Sequence, residues 1–306
     1  WMTGLGVLYL KKHAPWVATS FTTHATVLGR SIAGNNRPLY SKIGSYNPGQ
    51  TAHEFNVVSK QSLEKLGAVV ADAFTTVSEI TGRECRAFLG KKPDVVTPNG
   101  FEDSFVPSPD KFDGYRDEAR KKLLRVAEAV LGYPLPADTL LVSTSGRYEF
   151  HNKGIDLFIN TLGEINRKAD GNRNCLAFVL IPAYHKGPRA DLATFLNEGT
   201  PVAAGDRFLT HGLHYVNDDP VMNLIKKENL LNNQTDRVKV IFVPSYLNGD
   251  DGIFNKTYYE LLIGFDITLY PSYYEPWGYT PLESLMFRIP TVTTTLSGFG
   301  MWVNTH

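Results

Sequence analysis

LYPSYYEPWGYTPLESLMFRIPTVTTTLSGFG, residues 269–300, decides how the rest of this 306-residue chain is read. It opens at the end of a short apolar run (267–270) with strand character, then turns through a loop rich in proline and aromatic residues. A helix is expected to start near Thr280 and Pro281, with threonine at the cap and proline at the first helical position. Two carboxylates bracket the turn in a Glu-x7-Glu spacing: Glu275 in the loop and Glu283 in the expected first helical turn. In an open α/β sheet, ligands lie outside the carboxyl ends of the strands. A helix N-terminus there offers free N–H groups and positive dipole to a phosphate. Acids on either side of such a cradle do not serve the phosphate; they suit hydroxyls, such as those of a ribose and a sugar. Glu283 alone is equally a plain first-turn acid favoured by the helix dipole.

Outward from this stretch, short β-rich runs alternate with helical patterns, which predicts an α/β fold of parallel sheets with helices on both faces. Strands are expected at 17–22, 73–77, 94–97, 139–143, 175–181, 238–243, 266–270 and 291–295. Helices are expected at 52–67, 78–89, 115–131, 154–167, 220–228, 256–264 and 281–287, with Glu79 and Glu84 as exposed helix charges. Residues 97–109 (TPNGFEDSFVPSP) form a break rich in Pro, Asn, Gly and Ser, placing a domain crossover and hinge there. The expected division is 1–100 and 101–306, with residues 183–216 fitting the alternation poorly and reading as an insertion.

Charge is balanced, 31 basic against 31 acidic residues, so no electrostatic case exists for nucleic acid or an anionic membrane surface. No apolar run approaches the roughly 18 residues a bilayer span needs. Cys85 and Cys175 are two lone thiols in a long chain and read as reduced core residues of a cytoplasmic protein. On that reading Asn233-Gln234-Thr235 and Asn255-Lys256-Thr257 match the glycosylation pattern by chance.

Two cation-bearing turns stand out. Arg147 and Lys153 follow the strand expected at 139–143 and precede a helix opening near Gly154, where fixed positive charge would meet departing phosphates. The arginine offers a planar fork and the lysine a compact charge. His24 and Arg30 follow the strand at 17–22, in a loop containing Gly29 and Gly34. Ser297-Gly298-Phe299-Gly300 reads as a turn at another strand end, its glycines allowing close backbone approach to a ligand. No Asp-x-Asp and no cluster of His, Cys or acidic ligands is present, so neither a metal nor a cofactor is expected.

Residues 269–300 resemble the donor-binding loop of the eukaryotic-type glycogen synthases, retaining glycosyltransferases of the two-domain GT-B fold. SGRYEFHNKGIDLFINTLGEINR (145–167), FTTHATVLGRSIAGN (21–35) and DDPVMNLIKKENLLNNQTDRVKVIF (218–242) resemble the same family in the same order. The resemblance implies two Rossmann-like domains and glucose transfer from UDP-glucose to an α-1,4-glucan with retention. It assigns Arg147 and Lys153 to the donor diphosphate and Glu275 to the transferred glucose. Glu283 falls to the ribose hydroxyls and Tyr258 to the uracil face. Gly278, Tyr279 and Thr280 supply the turn and the N–H groups facing the phosphates. His24 is placed near the sugar and Arg30 near the phosphates when the two halves close.

The family's inserted helical region corresponds to 183–216, and the family tends to tetramers through it, so a homo-oligomer is part of the expectation. Relative to the family, the first strands and the arginine-bearing C-terminal segment are absent, so 1–100 reads as a partial sheet and the chain as a fragment. Two rivals keep parts of this picture: another UDP-sugar enzyme of the same fold, such as an epimerase, and a non-catalytic glucan-binding scaffold.

Overall fold

The computed structural model describes residues 2–168, 173–199 and 205–306, and in it the expected alternation becomes two parallel sheets plus a small antiparallel pair. The chain divides into two units: Trp1–Phe101 with Ser272–Tyr279 and Thr294–His306, and Glu102–Pro271 with Thr280–Thr293. The first boundary falls within the 97–109 break. The two C-terminal segments, expected in the second domain, group with the first unit.

In chain order the first unit opens with α1 (Gly4–His13), β1 (Ser20–Thr23), α2 (Val27–Gly34), α3 (Pro48–Glu54), α4 (Val58–Val70), β2 (Ala73–Thr76), α5 (Glu79–Glu84) and β3 (Val95–Val96). The strands run parallel in the order β1-β2-β3. Phe21 of β1 and Phe74 of β2 anchor a core with Val7, Ala68, Cys85 and Leu89.

Three expectations are corrected here. The single helix over 52–67 is two helices, because Asn56 turns left-handed (φ 54°). Val57 N–H then donates to Ala52 O at 2.8 Å and Asn56 N–H to His53 O at 3.0 Å, closing α3. The segment expected as a loop after His24 is helix α2 from Val27 onward. The Thr26 hydroxyl caps it by accepting from Gly29 N–H at 2.9 Å. Glu84 is not an exposed helix charge but 0% exposed, whereas Glu79 is on the surface as expected. Directly after Glu84 the helix widens into a π-helical turn, Cys85–Leu89, which ends at Gly90.

The second unit runs α6 (Pro109–Leu131), β4 (Leu140–Ser145), α7 (Ile155–Arg167), β5 (Cys175–Leu180), β6 (His185–Pro188), α8 (Ala190–Glu198), β7 (His211–Leu213), α9 (Pro220–Lys227), β8 (Val238–Val243), α10 (Tyr258–Leu262), β9 (Ile267–Tyr270), α11 (Tyr279–Met286) and β10 (Thr291–Thr293). Five parallel strands pair in the order β10-β9-β4-β5-β8. β5 and β8 are buried at every position, as strands covered on both faces must be; β5 reads as an unbroken apolar run, and β8 as one interrupted by the buried Lys239.

Helix α7 lays Ile155, Phe158, Ile159 and Leu162 on this sheet at i, i+3, i+4, i+7, each 3% exposed or less. Each such burial contributes on the order of 1.5–3 kcal/mol. Within 183–216, β6 and β7 pair antiparallel around α8, so the described part of the expected insertion holds one helix; residues 200–204 lie outside the described residues.

The last helix, α12 (Gly298–Thr305), corrects the expected Ser-Gly-Phe-Gly turn. Ser297 caps it, accepting from Gly300 N–H at 3.0 Å. Helix α11 also starts earlier than expected, at Tyr279. Thr280 therefore lies inside it rather than at its cap, and Glu283 sits in its second turn.

Candidate functional site

The strand order of the second unit fixes where a ligand can sit. From β4 the chain moves outward through β5 to β8, then crosses back to place β9 on the other side of β4. The loops leaving β4 and β9 therefore part company at one end of the sheet, the crevice where doubly wound folds bind ligands. A cavity of about 550 Å³ opens there, lined among others by Gly146, Arg147, Tyr246, Tyr258, Thr280 and Glu283. The cation expected after β4 and the acid expected after β9 thus face one space.

Local chemistry explains how each is held. Arg147 is exposed, its side chain 62% accessible, and pairs with Glu149 at 2.9 Å. The turn behind it is tight: Lys153 N–H donates to Glu149 O at 2.9 Å and Gly154 N–H to His151 O at 2.8 Å. The Lys153 side chain lies along Gly146, with its Nζ 3.9 Å from where a Cβ on that glycine would stand. This brings Lys153 against Gly146, the residue before Arg147.

Glu283 is half-buried and its Oε1 accepts from Tyr259 OH at 2.9 Å. Burial raises its pKa; the Tyr259 bond opposes that. Tyr259 in turn is pushed up to about 12, by burial first and by Glu283 second. The two adjacent tyrosines, indistinguishable by sequence register, are thereby separated: Tyr259 holds Glu283, while Tyr258 lines the cavity. The Tyr258 hydroxyl lies 2.8 Å from Ser145 Oγ and 3.5 Å from Tyr270 OH, and Tyr270 OH lies 2.8 Å from Ser284 Oγ. This hydroxyl chain ties the end of β4 to the helix bearing Glu283. Tyr246 and Asn248, also on the cavity wall, escaped sequence analysis. Tyr246 is 74% exposed, and its only sequence signal was a position just past a strand end.

The first unit holds the remaining site residues. His24 follows β1 and is exposed; Arg30 lies in the first turns of α2. Both line a cavity of about 1100 Å³ beside β1, together with Glu64. Glu275, Gly278 and Tyr279 belong to this unit as well. The backbone of the Glu275 loop is gripped on several sides. Gly298 N–H donates to Glu275 O at 2.9 Å and Phe299 N–H to Trp277 O at 2.7 Å. Ser78 Oγ donates to Pro276 O at 2.6 Å. The first N–H groups of α12 are thus spent on this loop, not on a ligand.

Two carboxylates near these residues were not anticipated. Glu64, 2% exposed, accepts from Val27 N–H at 2.9 Å, and Glu84 accepts from the Thr26 hydroxyl at 2.6 Å. Burial lifts both pKa values to about 7.

Among the described residues no group of three or more His, Cys, Asp or Glu could hold a metal ion, and no helix is long and apolar enough to cross a membrane.

The profile of the family described as Glycogen synthase matches residues 1–190 and 205–306. Liver glycogen (starch) synthase of Homo sapiens is 31% identical over 360 residues, covering 100% of this chain and 51% of that protein. Glycogen (starch) synthase of Neurospora crassa is 29% identical over 364 residues, covering 99% of the chain and 51% of that protein. The chain therefore spans about half the length of the curated relatives it matches. Among solved structures, sucrose-phosphate synthase of Thermosynechococcus elongatus superposes with TM-score 0.53 at 17% identity, covering 98% of this chain and 56% of that one. Anabaena HepE in complex with UDP does so with TM-score 0.51 at 14% identity, covering 96% and 57%. At such identities the likeness is one of fold: Rossmann-like parallel sheets of the GT-B type.

Proposed function

The chain belongs to the glycogen synthase family, and from that premise we propose that it transfers glucose from UDP-glucose to the non-reducing 4-hydroxyl of an α-1,4-glucan, with retention at the anomeric carbon. The observation carrying this reading is the cavity shared by Arg147 and Glu283 at the crevice between β4 and β9. A nucleoside diphosphate needs cations at one end and hydroxyl acceptors at the other, and both are present on its wall.

In this proposal Arg147 and Lys153 take the diphosphate, with the N–H groups opening α11 at Tyr279 and Thr280 beside them and Gly278 giving the turn. Glu283 accepts from the ribose hydroxyls, and Tyr258 or its neighbour Tyr246 faces the base. Glu275 takes hydroxyls of the transferred glucose, His24 the sugar and Arg30 the phosphates. The bond from the anomeric carbon to the phosphate oxygen breaks, and the acceptor oxygen bonds to that carbon on the same face. The acceptor proton passes to the departing phosphate, whose charge Arg147 and Lys153 hold. Glu275 steadies the positive charge that develops on the sugar, without forming a bond to it. No metal or other cofactor is assigned to the step.

We place the protein in the cytoplasm on its two buried free thiols, Cys85 and Cys175, and expect a homo-oligomer. The test is UDP release from UDP-glucose with and without glycogen, with the product digested by an enzyme specific for α-1,4 links. Release that needs glycogen and extends it supports transfer. Glycogen-independent turnover of the donor, or glucan binding without any UDP binding, overturns it.

A further inference from the structure

Glu84 is fully buried on α5, far in sequence from every residue assigned a role above, yet three hydroxyls converge on it. Thr26 Oγ1 donates to its Oε2 at 2.6 Å, Tyr40 OH to its Oε1 at 2.8 Å, and Tyr274 OH to its Oε2 at 3.5 Å. Thr26 is the cap of α2 and lies between His24 and Arg30. Tyr274 is the residue before Glu275, and its ring is buried against Leu28 and Ile32 of α2. One carboxylate thus touches both polypeptide segments that carry the first unit's site residues. We infer that Glu84 is a positioning residue, holding the His24–Arg30 segment and the Glu275 loop in mutual register.

Five features of the molecule support this. Gly29 lies where a Cβ would stand 2.0 Å from Glu84 Oε2, so the glycine inside the His-x5-Arg segment is what lets the carboxylate reach the helix. Thr26 Oγ1 relays the contact, accepting from Gly29 N–H while donating to Glu84. Burying a carboxylate is costly, and its retention in a fully enclosed place requires compensating donors, which these three hydroxyls supply. The Glu84 pKa is nonetheless raised to about 7, burial outweighing the bonds from Thr26 and Tyr40. The π-helical turn that begins at Cys85 is a strained feature of a kind that recurs beside functional sites. Tyr40 and Tyr274 stack with ring centroids 6.3 Å apart, which aligns both phenols toward the same carboxylate.

The inference rests on the proposed transfer reaction, in which His24, Arg30 and Glu275 meet the donor. It is tested in the full-length enzyme with Glu84→Gln, a near-isosteric change that replaces one of the two acceptor oxygens by an NH2 donor, so that the three hydroxyls no longer all find an acceptor. The second variant, Tyr274→Phe, releases only the Glu275 side. Expected for Glu84→Gln is a fall in kcat of at least ten-fold with UDP Kd within two-fold of wild type, because most side chains assigned to UDP (Arg147, Lys153, Glu283 and Tyr258) lie in the second unit and only Arg30 among them lies in the first. The thermal midpoint at pH 7 should not fall, since a buried ionisable group has been removed. Tyr274→Phe should lower kcat in the same direction by a smaller factor. Hydrogen exchange should quicken at the amides of 27–30 and 274–276 in Glu84→Gln and at 274–276 in Tyr274→Phe. A Glu84→Gln enzyme with kcat within two-fold of wild type, or one whose activity loss tracks a lowered midpoint, overturns the inference. Wild type that turns over no UDP-glucose refutes the transfer reading instead. Exchange at 27–30 and 274–276 then decides the positioning role by itself, unchanged rates overturning it.

Discussion

Replacing Gly154 by alanine is the sharpest single test of how the second unit is built. Gly154 stands at the start of α7 with φ 68° and ψ 27°, a left-handed conformation that costs a residue with a Cβ about 1–2 kcal/mol. Space adds a second cost. A Cβ there would lie 2.0 Å from Pro271 O and 2.6 Å from Pro271 C, backbone atoms that no side-chain rotation can move. Reaching ordinary contact near 3.5 Å requires a shift on the order of 1.5 Å of the β4–α7 turn or of the chain leaving β9. Shifts of that kind in packed structure cost about 1–3 kcal/mol. Together the substitution should destabilise by about 2–5 kcal/mol. Because Lys153 precedes Gly154 and Arg147 opens the same turn, UDP affinity should fall at least ten-fold with it. Urea unfolding should show a lower midpoint at unchanged slope, and calorimetry the weaker binding. Gly6→Ala, where nothing lies within 4 Å of the added Cβ in the first turn of α1, should instead stabilise by about 0.5–1 kcal/mol. A Gly154→Ala protein within about 0.5 kcal/mol of wild type, with unchanged UDP binding, would refute the close approach.

Three further outcomes are expected. Glu64 and Glu84 carry pKa values of about 7 in the fold against 4.5 otherwise, so folding takes up protons between those values. The resulting stabilisation is full below pH 4.5 and lost as pH rises through 7. Relative to a Glu64→Gln, Glu84→Gln double variant, wild type should therefore lose on the order of 3 kcal/mol per group from pH 5 to 8, and a flat difference in denaturant titrations would contradict it. Arg147→Ala with Lys153→Ala should weaken UDP by about 3–6 kcal/mol, two charge-assisted bonds' worth, since the exposed Arg147–Glu149 pair lost alongside is worth little; unchanged calorimetric affinity would displace the phosphate from this turn. Glu283→Gln should weaken UDP more than free pyrophosphate, and equal losses for the two ligands would remove the ribose role.

Much of the second unit was legible because its signals are local. Residues 238–243 were assigned to strand with the bounds of β8, since every residue but Lys239 is β-branched or aromatic, as in a strand buried on both faces. Helix α7 showed through its i, i+3, i+4, i+7 stripe. Helix α2 did not, because Gly29, Gly34 and β-branched Val27 lower its intrinsic propensity. It forms from tertiary support: Leu28 and Ile32 are 0% exposed, and Glu64 and Thr26 take its first free N–H groups. Glu84 was misread for a related reason. In sequence it is one more acid on a helix, and only the convergence of Thr26, Tyr40 and Tyr274, from distant parts of the chain, makes its burial tolerable. Asn56 ends α3 by adopting a left-handed turn that asparagine tolerates, a signal weaker than the glycine usually sought.

The Glu-x7-Glu spacing that opened the reading acquires a different meaning once the units are drawn. The boundary between the units runs after Tyr279, so Glu275 falls in the first unit and Glu283 in the second. Gly278, at φ 109°, turns the chain just before that boundary. Upstream, Ser78 donates to Pro276 O and the start of α12 to Glu275 O; downstream, the Glu283 carboxylate is held by Tyr259. Held from different segments of the chain, the two acids are expected to act independently, so the free-energy losses of Glu275→Gln and Glu283→Gln should add within about 0.5 kcal/mol. The first should appear in kcat and the second in UDP affinity. A coupling well beyond that margin, measured through a double-mutant cycle on UDP-glucose turnover, would refute their independence and the separate roles assigned to them.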